Sequence, residues 1–155
     1  MPSTSRRTLI AWSIGGLVAA VGGGVAWNAY TTRTHVRFRP LRAVNESDEP
    51  VELVVRVVDE SDGTTATTHE PTLAPAGETG HTATLHGRSV SYPAPYGVTA
   101  RPGREPEGDR GEGTRELALS NADIVDQHPD VGWGVDDVHV TVVVGADGAL
   151  SARVG

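Results

Sequence analysis

Histidine is the residue type in this chain best suited to metal binding or proton transfer, and six histidines are spread along it. A zinc or copper site needs several such ligands brought to one place, commonly from closely spaced positions. His81 and His86 are five residues apart, so on a strand their side chains point to opposite faces. We therefore expect surface roles, with no metal ion and no cofactor. The six are His35, His69, His81, His86, His128 and His139.

Five aspartates around Trp133 form the densest group of candidate calcium ligands. Carboxylates in a glycine-containing loop can bind calcium, but the spacing here is not that of an EF-hand loop. In a chain this acidic, such a group is also expected simply as solvated surface, and we favour that interpretation. The five are Asp123, Asp126, Asp130, Asp136 and Asp137.

The familiar sequence signatures of catalysis are missing. The chain contains no Gly-x-Ser-x-Gly, no phosphate-binding glycine-rich loop before a helix and no His-Glu-x-x-His. It also contains no cysteine, which excludes disulfides, thiolate metal sites, blue-copper sites and cysteine nucleophiles. The sequence therefore predicts a protein that is not an enzyme.

One short motif suggests a covalent modification. Asn45-Glu46-Ser47 matches the acceptor sequence for N-glycosylation and lies in a polar run where a turn is expected. If this part of the chain is exported, Asn45 is the residue that would carry the sugar.

Charge is distributed unevenly along the chain. All thirteen basic residues are arginines. Residues 43–155 contain 20 acidic residues and seven arginines, a net charge of −13, whereas the preceding segment has six arginines and no acid. A segment with this net negative charge repels nucleic acid and anionic lipid, so neither is expected as a ligand. A lysine-free, acid-rich composition is typical of salt-loving archaea. A GC-rich genome would also replace lysine by arginine, but it would not explain the excess of acids.

The N-terminal segment has the composition of a membrane helix. No charged residue occurs from Thr8 to Thr32. As a helix, Leu9–Trp27 would be about 28 Å long, close to the thickness of a bilayer core. Aromatic residues near both ends suit the two interfaces. We therefore predict a tail over residues 1–8, a transmembrane anchor or signal helix over 9–30, and a folded domain over 34–155.

The residues before the apolar run resemble the twin-arginine export motif, with Arg6 and Arg7 as the arginine pair in Ser-Arg-Arg-Thr-Leu-Ile. The lysine that usually follows this motif is missing, so the general secretory route remains an alternative. Gly24-Val25-Ala26 is a poor cleavage site, and we favour a retained anchor over a cleaved signal. The expected location is the cell membrane, with the C-terminal domain outside; secretion after cleavage is the alternative.

Small residues recur along the predicted helix at every fourth position. Gly16, Ala20 and Gly24 form a stripe of the kind that lets two membrane helices approach closely. Because the segment is rich in glycine and alanine, the same spacing also arises by chance.

The rest of the chain has the period-two pattern of half-buried strands. Val138, Val140, Val142 and Val144 line one face of a strand, and Gly145–Gly148 turns the chain into a returning strand, which predicts a C-terminal hairpin. No stretch shows helical periodicity. Strands every 12 to 20 residues predict an all-β, antiparallel sandwich of about seven strands, with a small barrel as the alternative.

This arrangement is similar to a type of small exported domain of haloarchaea. The likeness rests on Asn45–Pro50, the valine-rich run Val51–Val58 and the turn Leu73–Glu78. The resemblance implies an immunoglobulin-like sandwich and no particular activity. Residues 101–114 depart from the pattern and are expected to form a surface loop.

Taken together, the sequence favours a non-catalytic, membrane-tethered extracytoplasmic domain that acts through contacts with an unidentified protein partner. A secreted ligand- or ion-binding domain is the alternative.

Overall fold

A computed structural model describes residues 35–86, 92–104, 116–127 and 136–155. The predicted membrane segment, with Arg6, Arg7 and its small-residue stripe, lies outside these residues. So do His128, Asp130 and most of the 101–114 loop. Among the described residues no helix is long and apolar enough to cross a membrane.

The first sheet, sheet I, contains the first and last strands of the domain. Its strands are β1 Val36–Asn45, β5 Thr82–Leu85, β8 Asp136–Val144 and β9 Leu150–Val154. They lie in the order β5-β1-β8-β9 across the sheet. β1 pairs with β5 in antiparallel fashion but with β8 in parallel, so the prediction of a wholly antiparallel sandwich is wrong for this pair. The alternation of side chains identifies a strand, but it carries no information on the direction of its neighbour.

The second sheet, sheet II, is antiparallel throughout. Its strands are β2 Val51–Asp59, β3 Thr64–His69, β4 Thr72–Leu73, β6 Tyr96–Pro102 and β7 Leu117–Leu119. They lie in the order β3-β2-β6-β7, and β4 also pairs with β2. Pro71 separates β3 from β4, yet its carbonyl still accepts from the Leu53 amide at 3.0 Å.

One short helix, α1 (Asn121–Gln127), follows β7 and was not predicted. It is too short for helical periodicity to show. Its N-terminus nevertheless has a sequence signature, because Ser120 and Asp123 form a capping box. The Ser120 amide donates to the Asp123 carboxylate at 2.9 Å, and the Asp123 amide donates back to the Ser120 hydroxyl at 3.2 Å. Ile124 of this helix is fully buried.

The core lies between the two sheets and is built mainly from valine and leucine on alternating strand positions. The predicted C-terminal hairpin is confirmed, with Val142 opposite Ala152 in the β8–β9 ladder. Phe38 and Tyr96 add a tilted aromatic contact, with ring centroids 5.7 Å apart. The domain is therefore mainly β with two packed sheets, and the described residues form nine strands where about seven were expected.

Candidate functional site

Asn45, the predicted glycosylation site, is the last residue of β1 and is fully buried. Its side-chain nitrogen donates both hydrogens, one to the Glu49 carbonyl at 2.7 Å and one to the Ala74 carbonyl at 2.9 Å. Its main-chain amide donates to the His81 carbonyl at 2.8 Å. Asn45 therefore holds the 46–50 turn and the 74–81 turn to the end of sheet I.

Ser47 completes this arrangement from the other side of the amide. Its main-chain N–H and its hydroxyl both donate to Asn45 Oδ1, at 3.0 and 2.7 Å. An asparagine side chain offers two donors and one carbonyl oxygen with two lone pairs, and all of them are used. We call Asn45, Ser47 and the accepting carbonyls of Glu49 and Ala74 the Asn45 latch. Both side chains of the sequon thus have structural roles inside the fold.

The Glu60 carboxylate, on an exposed residue that follows β2, joins sheet II to helix α1. Glu60 Oε1 accepts from the main-chain amide of Asn121 at 2.9 Å, at the helix N-terminus. This places a carboxylate where the unpaired amides and the dipole of a helix favour negative charge. Gly97 lies beneath it: a Cβ there would be 2.6 Å from Glu60 Oε1 and 3.1 Å from the Leu119 carbonyl oxygen. The absence of a side chain at Gly97 therefore makes room for the Glu60 carboxylate.

Two exposed acidic residues, Asp62 and Asp123, are held by local hydrogen bonds. The Thr64 hydroxyl and amide both donate to Asp62 and lower the pKa of that carboxyl, the hydroxyl by more than the amide. The Ser120 hydroxyl, and then its amide, lower the pKa of Asp123 in the same way. These carboxylates are engaged in turn and cap geometry. Within the described ranges no three histidine or acidic side chains are grouped as a metal site would require.

Five of the six histidines are described, and they occupy separate positions. His81 Nδ1 lies 2.7 Å from the Glu78 carbonyl oxygen inside its own turn. Partial burial, and to a smaller extent the charge of His86, lower the pKa of His69. His69 ends β3 of sheet II, and His86 follows β5 of sheet I.

Ion pairs lie on the outer surface of sheet I. Arg37 Nε is 2.8 Å from Asp137 Oδ1, across the parallel β1–β8 pair. Arg153 of β9 reaches both carboxylate oxygens of Glu46, at 2.9 and 3.1 Å. Because Glu46 follows β1 and β8 lies between β1 and β9, this pair spans β8. The Arg153–Glu46 pair is exposed, and exposed pairs contribute little stability each.

Comparison of the chain with protein-family models, with curated proteins and with solved structures finds no match in any of the three.

Proposed function

We propose that this chain is a non-catalytic, membrane-tethered extracytoplasmic domain that acts through protein contacts. The observation that carries the proposal is the open edge of sheet II. β3 pairs with β2 along one side, and no described strand lies along its other side. The main-chain amides and carbonyls of such an edge can pair with a strand of another polypeptide.

The composition of β3 supports this role. It consists of four threonines, one alanine and one histidine, and it lacks the lysine and proline with which edge strands commonly prevent pairing. Its one irregularity is Ala66, an extra residue opposite the Val57–Val58 step, which forms a β-bulge. A bulge bends the strand, so an added strand must be short or must follow the bend.

Charge at the two ends of β3 indicates the chemistry of the partner. Asp59, Glu60 and Asp62 precede the strand, and Glu70 follows it. An added strand would therefore lie with both ends beside carboxylates. The partner inferred is an extended segment with an uncharged, β-branched centre and basic flanks.

The remaining parts of the proposal come from the sequence. The uncharged run over residues 9–30 supports a retained anchor, and Arg6 and Arg7 support export by the twin-arginine route. The two packed sheets and the resemblance described above support an immunoglobulin-like sandwich of haloarchaeal type.

Site-specific cross-linking tests the protein contact. A photoreactive residue placed at Thr65, on the edge strand, should form adducts in intact cells. The same residue at Thr99, on the central strand β6, should form none, because β2 and β7 flank that position. Equal adduct formation at the two positions, or none at either, would refute the edge contact.

Fractionation tests the tether separately. The chain should stay in the membrane pellet after a high-salt wash, and replacing Arg6 and Arg7 by lysine should block its export. Recovery of the domain from the medium would instead favour the secreted ligand- or ion-binding alternative. Unchanged export of the double variant would rule out the twin-arginine route.

A further inference from the structure

We infer that Asn45 can be N-glycosylated in the unfolded chain and cannot be N-glycosylated in the folded domain. Asn45 begins the only Asn-x-Ser/Thr triplet of the sequence, so N-glycosylation could occur here alone. In the fold, the acceptor residue is fully buried and Ser47 is nearly so. Folding and modification therefore compete for the same amide group.

The chemistry of the transfer shows why the two are incompatible. The donor is a sugar carried on a lipid pyrophosphate. Asn45 Nδ2 would attack its anomeric carbon, forming a C–N bond as the C–O bond to the pyrophosphate breaks, and the nitrogen would pass one proton to a base of the transferase. In the fold both hydrogens of this nitrogen are held by carbonyls, those of Glu49 and Ala74. The nitrogen can neither reach a donor nor lose a proton without opening the latch.

The consequence for a modified chain follows from the same contacts. A glycosylated Asn45 keeps one hydrogen on its nitrogen, so at least one of the two turn carbonyls loses its hydrogen bond from Asn45. The sugar would also have to occupy the space between the end of β1 and the 74–81 turn, where Asn45 is now fully buried. A chain glycosylated at Asn45 therefore cannot close the latch.

The chain supplies a matched control for accessibility. Asp62 and Thr64 repeat the local geometry of Asn45 and Ser47, since the Thr64 amide and hydroxyl donate to Asp62 Oδ1 at 2.9 and 2.7 Å. This second turn is exposed. Asp62→Asn converts it to Asn-Gly-Thr, which is an acceptor triplet on the surface.

The experiment uses the full chain in detergent, carrying Asp62→Asn, with a purified oligosaccharyltransferase and a lipid-pyrophosphate-linked sugar. A second sample also carries Val142→Asp, which unfolds the domain by burying a charge in the core. The same chain diluted from urea directly into the reaction is a second unfolded sample. Mass spectrometry of peptides measures the sugar at positions 45 and 62 separately.

We expect position 62 to be modified in all samples and position 45 only in the unfolded ones. In the folded chain, position 45 should react at least about 100-fold more slowly than position 62, the factor given by a local opening of about 2.7 kcal/mol. Comparable rates at the two positions in the folded chain would overturn the inference. So would a position 45 that stays unmodified in the unfolded chains while position 62 reacts. Because the assay uses purified components, its result is independent of the proposed location and partner.

Discussion

The contact between Gly97, Glu60 and helix α1 gives the sharpest prediction for stability. Gly97→Ala places a methyl group 2.6 Å from Glu60 Oε1, where an ordinary contact needs at least 3.4 Å. The carboxylate must move by roughly 0.8 Å or more, away from the Asn121 amide that it accepts at 2.9 Å. The substitution should therefore act mainly through the helix cap rather than through β6 itself.

The magnitude follows from two opposing terms. A hydrogen bond to a charged group contributes about 1.5–3 kcal/mol. Alanine is favoured over glycine inside a strand by about 0.5–1 kcal/mol, which offsets part of that loss. Gly97→Ala should lower the free energy of unfolding by about 1–2 kcal/mol. Glu60→Ala has no such offset and should lower it by about 1.5–3 kcal/mol.

A double-mutant cycle isolates the interaction. With Glu60→Ala already present, the nearest remaining obstacle to the new methyl group is the Leu119 carbonyl oxygen at 3.1 Å. Gly97→Ala should then lower the free energy of unfolding by less than about 0.5 kcal/mol. The sum of the two single effects should therefore exceed the effect of the double substitution by about 1–2 kcal/mol. Urea unfolding of the four proteins, followed by circular dichroism, measures each free energy. Additive effects would show that the carboxylate does not depend on the space above Gly97.

Three further predictions concern the core, the salt response and the pH response. Val142→Asp should abolish cooperative unfolding, because it places an unpaired carboxylate at a fully buried position. Arg153→Ala should lower the free energy of unfolding by no more than about 1 kcal/mol, because it removes one exposed ion pair. Equal effects of the two substitutions would show that the strand register is wrong. The midpoint of thermal unfolding should rise from 0.05 to 3 M potassium chloride, steeply at first, because screening reduces repulsion among the acidic residues; a flat or falling midpoint would contradict the halophile interpretation. Asp62 and Asp123 have lowered pKa values in the fold, so their contribution to the free energy of unfolding is present above about pH 4 and is lost as the pH falls through the folded pKa values. A variant with Asn at both positions should therefore lose less stability between pH 4 and pH 2 when it is titrated with acid.

The sequence alone predicts much of the core. Val138 and Val140 alternate with the polar residues His139 and Thr141, and both valines are fully buried. The same pattern places Tyr96 and Val98 on one buried face of β6. A period of two is a local property of an extended chain, so it can be recognised without knowing which strands pair with one another.

Sequence patterns also misjudged or missed three features, each for a different reason. The parallel pairing of β1 with β8 joins residues about a hundred positions apart, and hydropathy does not record strand direction. Helix α1 is shorter than the window over which helical periodicity can be detected, although its capping box, Ser120 to Asp123, was visible. The Glu60–Asn121 contact joins residues 61 positions apart and has no local signature.

Asn45 shows most clearly where the sequence stops and the tertiary structure begins. By itself the sequence determined that Asn45 starts an acceptor triplet in a turn and that the surrounding chain is β-rich, acidic and free of cysteine. Only the tertiary structure decided that this asparagine faces inward, because the 74–81 turn supplies a carbonyl from 29 residues away to one of its hydrogens. Hydrogen-bond partners that are brought together by packing depend on the whole fold. The alternation of apolar residues, the local charge and short motifs depend only on residues that are neighbours in the sequence.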